Sequence, residues 1–99
     1  MAFEEDVYEL VKKIQYGKVT TYKAIAEALG NKAYRAVGNA LNKNKNPDGI
    51  KCCKIVKADG SLGGFALGSN DKIRRLKEEG INVVGGKIEN FENELHHFV

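Results

Sequence analysis

The sequence predicts a mostly helical α/β domain with a helix-turn-helix outline. Three observations predict it. Apolar residues near the N-terminus recur at helical spacing, two short capped helical stretches are separated by Gly30-Asn31, and brief extended pieces are bounded by turn residues. Ninety-nine residues make one domain, 1–99, with enough chain for a single modest core.

Val7, Leu10, Val11 and Ile14 follow i, i+3, i+4, i+7, so a first helix is expected over 4–15. Gly17 ends it, and Lys18-Val19-Thr20 is a short extended piece. Thr21 is placed to cap a second helix from Tyr22 to Leu29, with Tyr22, Ile25 and Leu29 on one face. Gly30 is a natural stop, and Asn31 is placed to cap a third helix from Lys32 to about Asn42 that buries Val37, Ala40 and Leu41. The polar stretch 42–49 closes on the turn Pro47-Asp48-Gly49. Residues 50–57 are expected to be extended. Ala58-Asp59-Gly60 then turns the chain into Ser61-Leu62 and the flexible pair Gly63-Gly64. A last clear helix starts at Ser69, Asn70 or Asp71, points Ile73 and Leu76 inward and stops at Gly80. Short β-like pieces flank Gly85-Gly86, and the tail from Asn90 reads as one or two further helical turns.

The net charge of +3 is small, but it is unevenly spread. Residues 18–54 hold eight basic and two acidic residues, a local balance of +6, so the rest of the chain sums to −3. This asymmetry predicts one face that attracts polyanions. The competing reading is a solvated surface that happens to be basic. No apolar run approaches the roughly 20 residues that span a bilayer, so no membrane role is expected. The acidic start, Met1 to Asp6, carries no signal-peptide pattern. With reduced thiols this points to the cytoplasm, or to the nucleus in a eukaryote.

Cys52 and Cys53 are the only cysteines, and they are adjacent. Consecutive Cα atoms lie about 3.8 Å apart, below the usual disulfide range, so both are expected to be free thiols. The pair lacks the C-x-x-C spacing of a zinc chelate, so no metal is expected even with His96 and His97 counted. Those histidines read as exposed tail residues.

The order of motifs carries a resemblance. Gly17-Lys18-Val19-Thr20-Thr21-Tyr22 is followed by Ile25-Ala26, Arg35 to Leu41, Asn44, the Cys52 segment, Gly60-Ser61-Leu62-Gly63-Gly64-Phe65 and Glu79-Gly80. This series resembles the C-terminal, active domain of the methylated-DNA–protein-cysteine methyltransferases, the 6-O-alkylguanine-DNA alkyltransferases. It covers about residues 3–80 and leaves 81–99 as a C-terminal extension. Spacing from Arg35 through Cys52 to Glu79 fits without a gap.

The resemblance implies a winged-helix-like helix-turn-helix domain with a short β-hairpin wing. Its third helix would enter the minor groove of double-stranded DNA, where Ala36 and Gly38 allow close backbone approach. Arg35 matches the arginine finger that fills the space left by an extruded base, and Tyr22 the tyrosine that helps rotate the nucleotide. Thr21, Lys23, Asn31 and Lys32 lie where DNA-backbone contacts would fall. Extrusion is needed because the alkylated oxygen of guanine is buried in the base stack. Cys52 matches the acceptor whose thiolate takes the alkyl group in one irreversible displacement. Asn44 would position its loop, and Val56 and Phe65 would border the base. The resemblance further implies a monomer that needs no cofactor and is consumed by one reaction.

Where the family reads Pro-Cys-His-Arg, this chain reads Lys51-Cys52-Cys53-Lys54. The activating histidine position is Cys53, while Glu79 still matches the glutamate that orients that histidine. Lys51 and Lys54 would act on the thiol electrostatically, with extended geometry sending them to opposite faces. DNA binding is therefore expected to be better preserved than the rate of transfer. Two other readings stand beside repair: a non-catalytic alkyltransferase-like protein that flags alkylated guanine, and a plain winged-helix DNA-binding protein.

Overall fold

The computed structural model describes residues 3–30, 34–44, 46, 49–63 and 68–96. Chain order is α1 (Phe3–Lys12), β1 (Thr20–Thr21), α2 (Tyr22–Ala28), α3 (Tyr34–Asn42), a 3-10 turn (Cys52–Lys54) and β2 (Ile55–Val56). Then come α4 (Ser69–Glu78), β3 (Val83–Val84), β4 (Lys87–Ile88) and α5 (Phe91–Glu94). The expected mostly helical α/β architecture is present.

α1 stops earlier than its apolar stripe suggests. The N–H groups of Lys13 and Ile14 reach back three residues, to Leu10 O at 3.0 Å and Val11 O at 3.2 Å, which tightens the last turn. At α2 the Thr21 hydroxyl accepts the Ala24 N–H at 2.9 Å, the cap expected of that residue. Val37, Ala40 and Leu41 of α3 are buried, and the Tyr8 hydroxyl of α1 donates to Ala40 O at 2.6 Å. That bond ties α1 to α3. The expected cap at Asn31 and helix start at Lys32 lie outside the described residues.

The single core expected from chain length is instead two apolar clusters on either side of a minimal sheet. β1 and β2 pair in parallel, Thr20 with Ile55 and Thr21 with Val56. Successive strand residues face opposite ways, so Ile55 joins the cluster of α1, α2 and α3 while Val56 joins that of Val19, Leu62, Leu76, Ile81 and Ile88. Both are fully buried. Cys52 and Cys53 sit immediately before this junction.

Two sequence expectations are corrected here. Residues 50–57 are not extended throughout, because Cys52–Lys54 wind into the 3-10 turn before β2 begins. A three-residue turn is too short to leave a periodic signature. As far as His96 the tail is tied down, with His97 outside the described residues: Val19 N–H donates to Glu94 O at 2.8 Å and His96 N–H donates to Val19 O at 2.7 Å. His96 is therefore half-buried against Val19, just before β1, rather than an exposed tail residue. The β-like pieces around Gly85-Gly86 form a hairpin, β3 and β4 paired antiparallel, with Ser61 bridged to Lys87 beside them.

Candidate active site and DNA-facing surface

Asn44, after the end of α3, holds the loop that carries Cys52. Its Nδ2 donates to Ile50 O at 2.8 Å and lies 3.6 Å from Cys52 Sγ. Its Oδ1 accepts the Asn46 N–H at 2.9 Å. Cys52 is half-buried and packs against the helical cluster. One residue on, the 3-10 turn carries Cys53 to another side of the segment. There it is 3% exposed and lines a cavity of about 360 Å³ with Tyr16, Lys51, Arg75, Glu78 and Glu79. Burial, reinforced by the neighbouring Cys52, pushes the Cys53 thiol up to about 11. Both thiols are free.

Lys51 and Lys54 do not take opposite faces. Residues three apart eclipse in a 3-10 turn, so both ammonium groups meet one carboxylate. Lys54 Nζ lies 2.8 Å from Glu79 Oε1, and Lys51 Nζ lies 3.3 Å from Glu79 Oε2. Gly17 N–H donates to the same Glu79 Oε1 at 2.8 Å. Burial alone would raise the Glu79 carboxyl, but Lys54, the Gly17 N–H and Lys51 outweigh it and hold the group below its usual value. Lys54 is 2% exposed and also donates to Gln15 O at 2.8 Å. Glu79 is thus a hub joining the end of α4, the Gly17 loop and the cysteine turn.

Tyr22 opens α2 beside Gly63, where an added Cβ would stand 3.2 Å from the Tyr22 hydroxyl. Gly63 also has φ +70, a backbone conformation that favours glycine, and an added Cβ would crowd the Tyr22 ring. Burial, then the nearby Cys52, raises the Tyr22 phenol, so at neutral pH it keeps a proton to donate. Val56 is buried in β2 and offers backbone rather than side chain. Phe65 lies outside the described residues, as does Asn31.

Sequence reasoning missed Lys72, which is 0% exposed in α4. Its Nζ donates to Ile55 O at 2.7 Å and also to Leu62 O, joining the strand after the cysteines to the segment before Gly63. Desolvation lowers its ammonium to about 8. The signal lay in spacing, since Lys72 precedes the inward Leu76 by four residues.

On the other side of α3, Arg35 is exposed while Ala36 and Gly38 are half-buried. Nothing lies within 4 Å of the place a Cβ would occupy at Gly38. The helix surface is therefore low at Gly38, while Ala36 lines a depression with Glu4, Glu5 and Lys43. Lys23 is exposed on α2. Thr21 is buried to 7% exposure, with its oxygen occupied as the α2 cap.

Residues 2–81 match the family model of the 6-O-methylguanine DNA methyltransferase DNA-binding domain. The chain is 49% identical over 89 residues to a bifunctional methyltransferase/endonuclease of Thermoplasma volcanium, covering 87% of this chain and 28% of that protein. It is 44% identical over 81 residues to the methylated-DNA–protein-cysteine methyltransferase of Sulfolobus acidocaldarius, covering 82% of this chain and 51% of that protein. It therefore spans between about a quarter and a half of these relatives. Among solved structures it is similar to S. pombe Atl1 in complex with damaged DNA containing O6-carboxymethylguanine, with TM-score 0.85 and 26% identity over 97% of this chain and 95% of that one. The 6-O-methylguanine-DNA methyltransferase of Pyrococcus kodakaraensis KOD1 superposes with TM-score 0.74 and 37% identity over 81% of this chain and 47% of that one. The chain belongs to the 6-O-methylguanine DNA methyltransferase family.

Proposed function

We propose that this domain repairs DNA by transferring the alkyl group of 6-O-alkylguanine to Cys52 Sγ. The observation that carries the proposal is a half-buried thiol, opening the 3-10 turn before β2 and held 3.6 Å from Nδ2 of Asn44, which follows helix α3. Helix α3 lies in the minor groove, and Arg35 takes the place of the extruded nucleotide. Tyr22 meets the flipped base with a protonated phenol. Cys52 gives up its proton, and the thiolate attacks the alkyl carbon in line with the C–O6 bond. A C–S bond forms while the C–O6 pair returns to the guanine, which recovers its neutral form by taking one proton. The thioether is not cleaved, so each molecule acts once and needs no cofactor.

The family's histidine relay has no counterpart in this site. Cys53 keeps its proton at neutral pH, and Glu79 is engaged by Lys54 and Lys51. The proton of Cys52 is thus left to solvent, with the Asn44 side-chain amide as the polar neighbour of its sulfur. Transfer is expected to be slower than with an intact relay, because a positioned base contributes roughly 10²–10⁴-fold.

The test is incubation with duplex DNA carrying 6-O-methylguanine, followed by intact mass of the protein. A gain of one methyl group in wild type and none in Cys52→Ser supports transfer. Lesion-selective binding with no gain in mass supports the second reading, a non-catalytic alkyltransferase-like protein. That reading is favoured by the missing relay and by similarity to Atl1 along nearly the whole chain. Equal binding of lesion and control duplexes, with no transfer, would sink both.

A further inference from the structure

Tyr34, at the start of α3 and next to Arg35, has no role in the chemistry above. It is a large apolar side chain left 41% exposed. The buried stripe of α3 runs through Val37, Ala40 and Leu41, while Arg35, Asn39 and Asn42 face solvent. One turn beyond Tyr34 on the same helix flank stands Gly38, where nothing lies within 4 Å of an added Cβ. No side chain one turn on therefore shields the ring from an approaching partner. Tyr34 thus stands at one flank of the solvent face, about 100° round the helix from Arg35, with the low position of Gly38 one turn beyond it.

We infer that Tyr34 is a second wedge beside Arg35, its ring stacking on a nucleobase face uncovered when the guanine is extruded. The inference rests on the proposed DNA reading. Extrusion uncovers the π faces of the flanking bases, and minor-groove proteins commonly insert side chains between such steps. Aromatic stacking is sequence-tolerant because every base offers a π face, which suits a lesion found in any context. Tyr34 then contributes to lesion affinity through its ring and not through its hydroxyl.

The chain contains no tryptophan, so Tyr34→Trp installs a single fluorescent reporter. The variant is made with Cys52→Ser so that transfer does not alter the complex. Binding to duplexes with and without 6-O-methylguanine is followed separately by anisotropy of labelled DNA. On the lesion duplex the indole emission is expected to fall at least about twofold and to become protected from iodide, as stacking requires. Beside it, Tyr34→Ala should weaken lesion binding about tenfold, within the range of one stacked base, and Tyr34→Phe should leave it unchanged. A bound complex whose indole stays bright and open to iodide would overturn the wedge while leaving the proposed function intact. Lesion binding by Tyr34→Ala as tight as that of wild type would overturn it equally. Failure of the wild-type chain itself to select the lesion would remove the proposed function, and the wedge with it.

Discussion

Cys53 stands where a base would be useful and is held in a state in which it cannot be one. Burial pushes its thiol up to about 11, so at neutral pH it neither takes the proton of Cys52 nor competes for the alkyl group. Its side chain borders the same cavity as Glu79 and the exposed Lys51, so an imidazole placed there would have room and a carboxylate within its cavity. Cys53→His is therefore predicted to speed alkyl transfer at least about tenfold, with a pH profile that gains a limb near about 6.5, measured as methyl incorporation from pH 5.5 to 8. An unchanged rate in a folded variant would show that Lys51 and Lys54 have permanently claimed Glu79. Lys72 gives a second prediction. Its pKa falls from 10.5 in the unfolded chain to about 8 in the folded one. Between those values the unfolded chain holds a proton that the folded chain has released. Its contribution is thus fully present above 10.5 and lost as pH falls through 8. Cys53 works the other way, its contribution being present below 9 and lost as pH rises towards 11. Wild type should therefore gain stability over Lys72→Met from pH 8 to 9, by up to about 1.4 kcal/mol, in urea denaturation at each pH.

At the scale of elements, the 3-10 turn decides how the site is held. By eclipsing Lys51 and Lys54 it delivers two cations to the carboxylate that ends α4. The side chains of Lys54 and Glu79 are 3% and 7% exposed, so removing one partner strands a buried charge. Glu79→Gln is predicted to cost roughly 3–5 kcal/mol in urea denaturation, and the double variant Lys54→Met with Glu79→Gln should recover part of that loss. Equal losses in the single and double variants would mean that Glu79 acts mainly through Gly17. Its depressed carboxyl adds a sign: this stability is present above the ordinary carboxylate range and lost as pH falls through the folded value. The helices that frame the site were legible because α1, α3 and α4 each carry an apolar stripe, and Thr21 and Gly30 punctuate α2. The turn was not, since three residues make no period. Nor was the buried Lys54, because a lysine in a sequence reads as solvated until a packed carbonyl or carboxylate captures it. The return of His96 to Val19 depends on a contact between distant residues, which local pattern does not encode.

For the whole molecule, folding redistributes the charge asymmetry of the sequence. Eight basic residues in 18–54 suggested a broad polyanion-binding face. Lys54 is buried on Glu79, Lys51 shares that carboxylate, and Lys43 lies 3.0 Å from Glu4 at the start of α1. Among the described residues of that stretch, Lys23 and Arg35 remain exposed on the two helices that would meet DNA. The footprint offered to phosphates is thus narrower than the composition implies. On the proposed reading, affinity would lean more on Arg35 and Tyr34 and less on counterion release. With Lys43, Lys51 and Lys54 paired, the binding constant for a lesion duplex should fall with salt with a log–log slope clearly shallower than the value near about −7 that eight free cations would give. Lys23→Ala should flatten that slope by about 0.9 and weaken lesion and control duplexes alike. Arg35→Ala should instead reduce lesion selectivity with a smaller change in slope, because a side chain inserted in the stack reads extrusion rather than phosphate charge. Titrations at several salt concentrations separate the two. A slope near −7 for wild type would mean that DNA draws Lys43 and Lys51 away from their carboxylates, and that these ion pairs belong to the free protein.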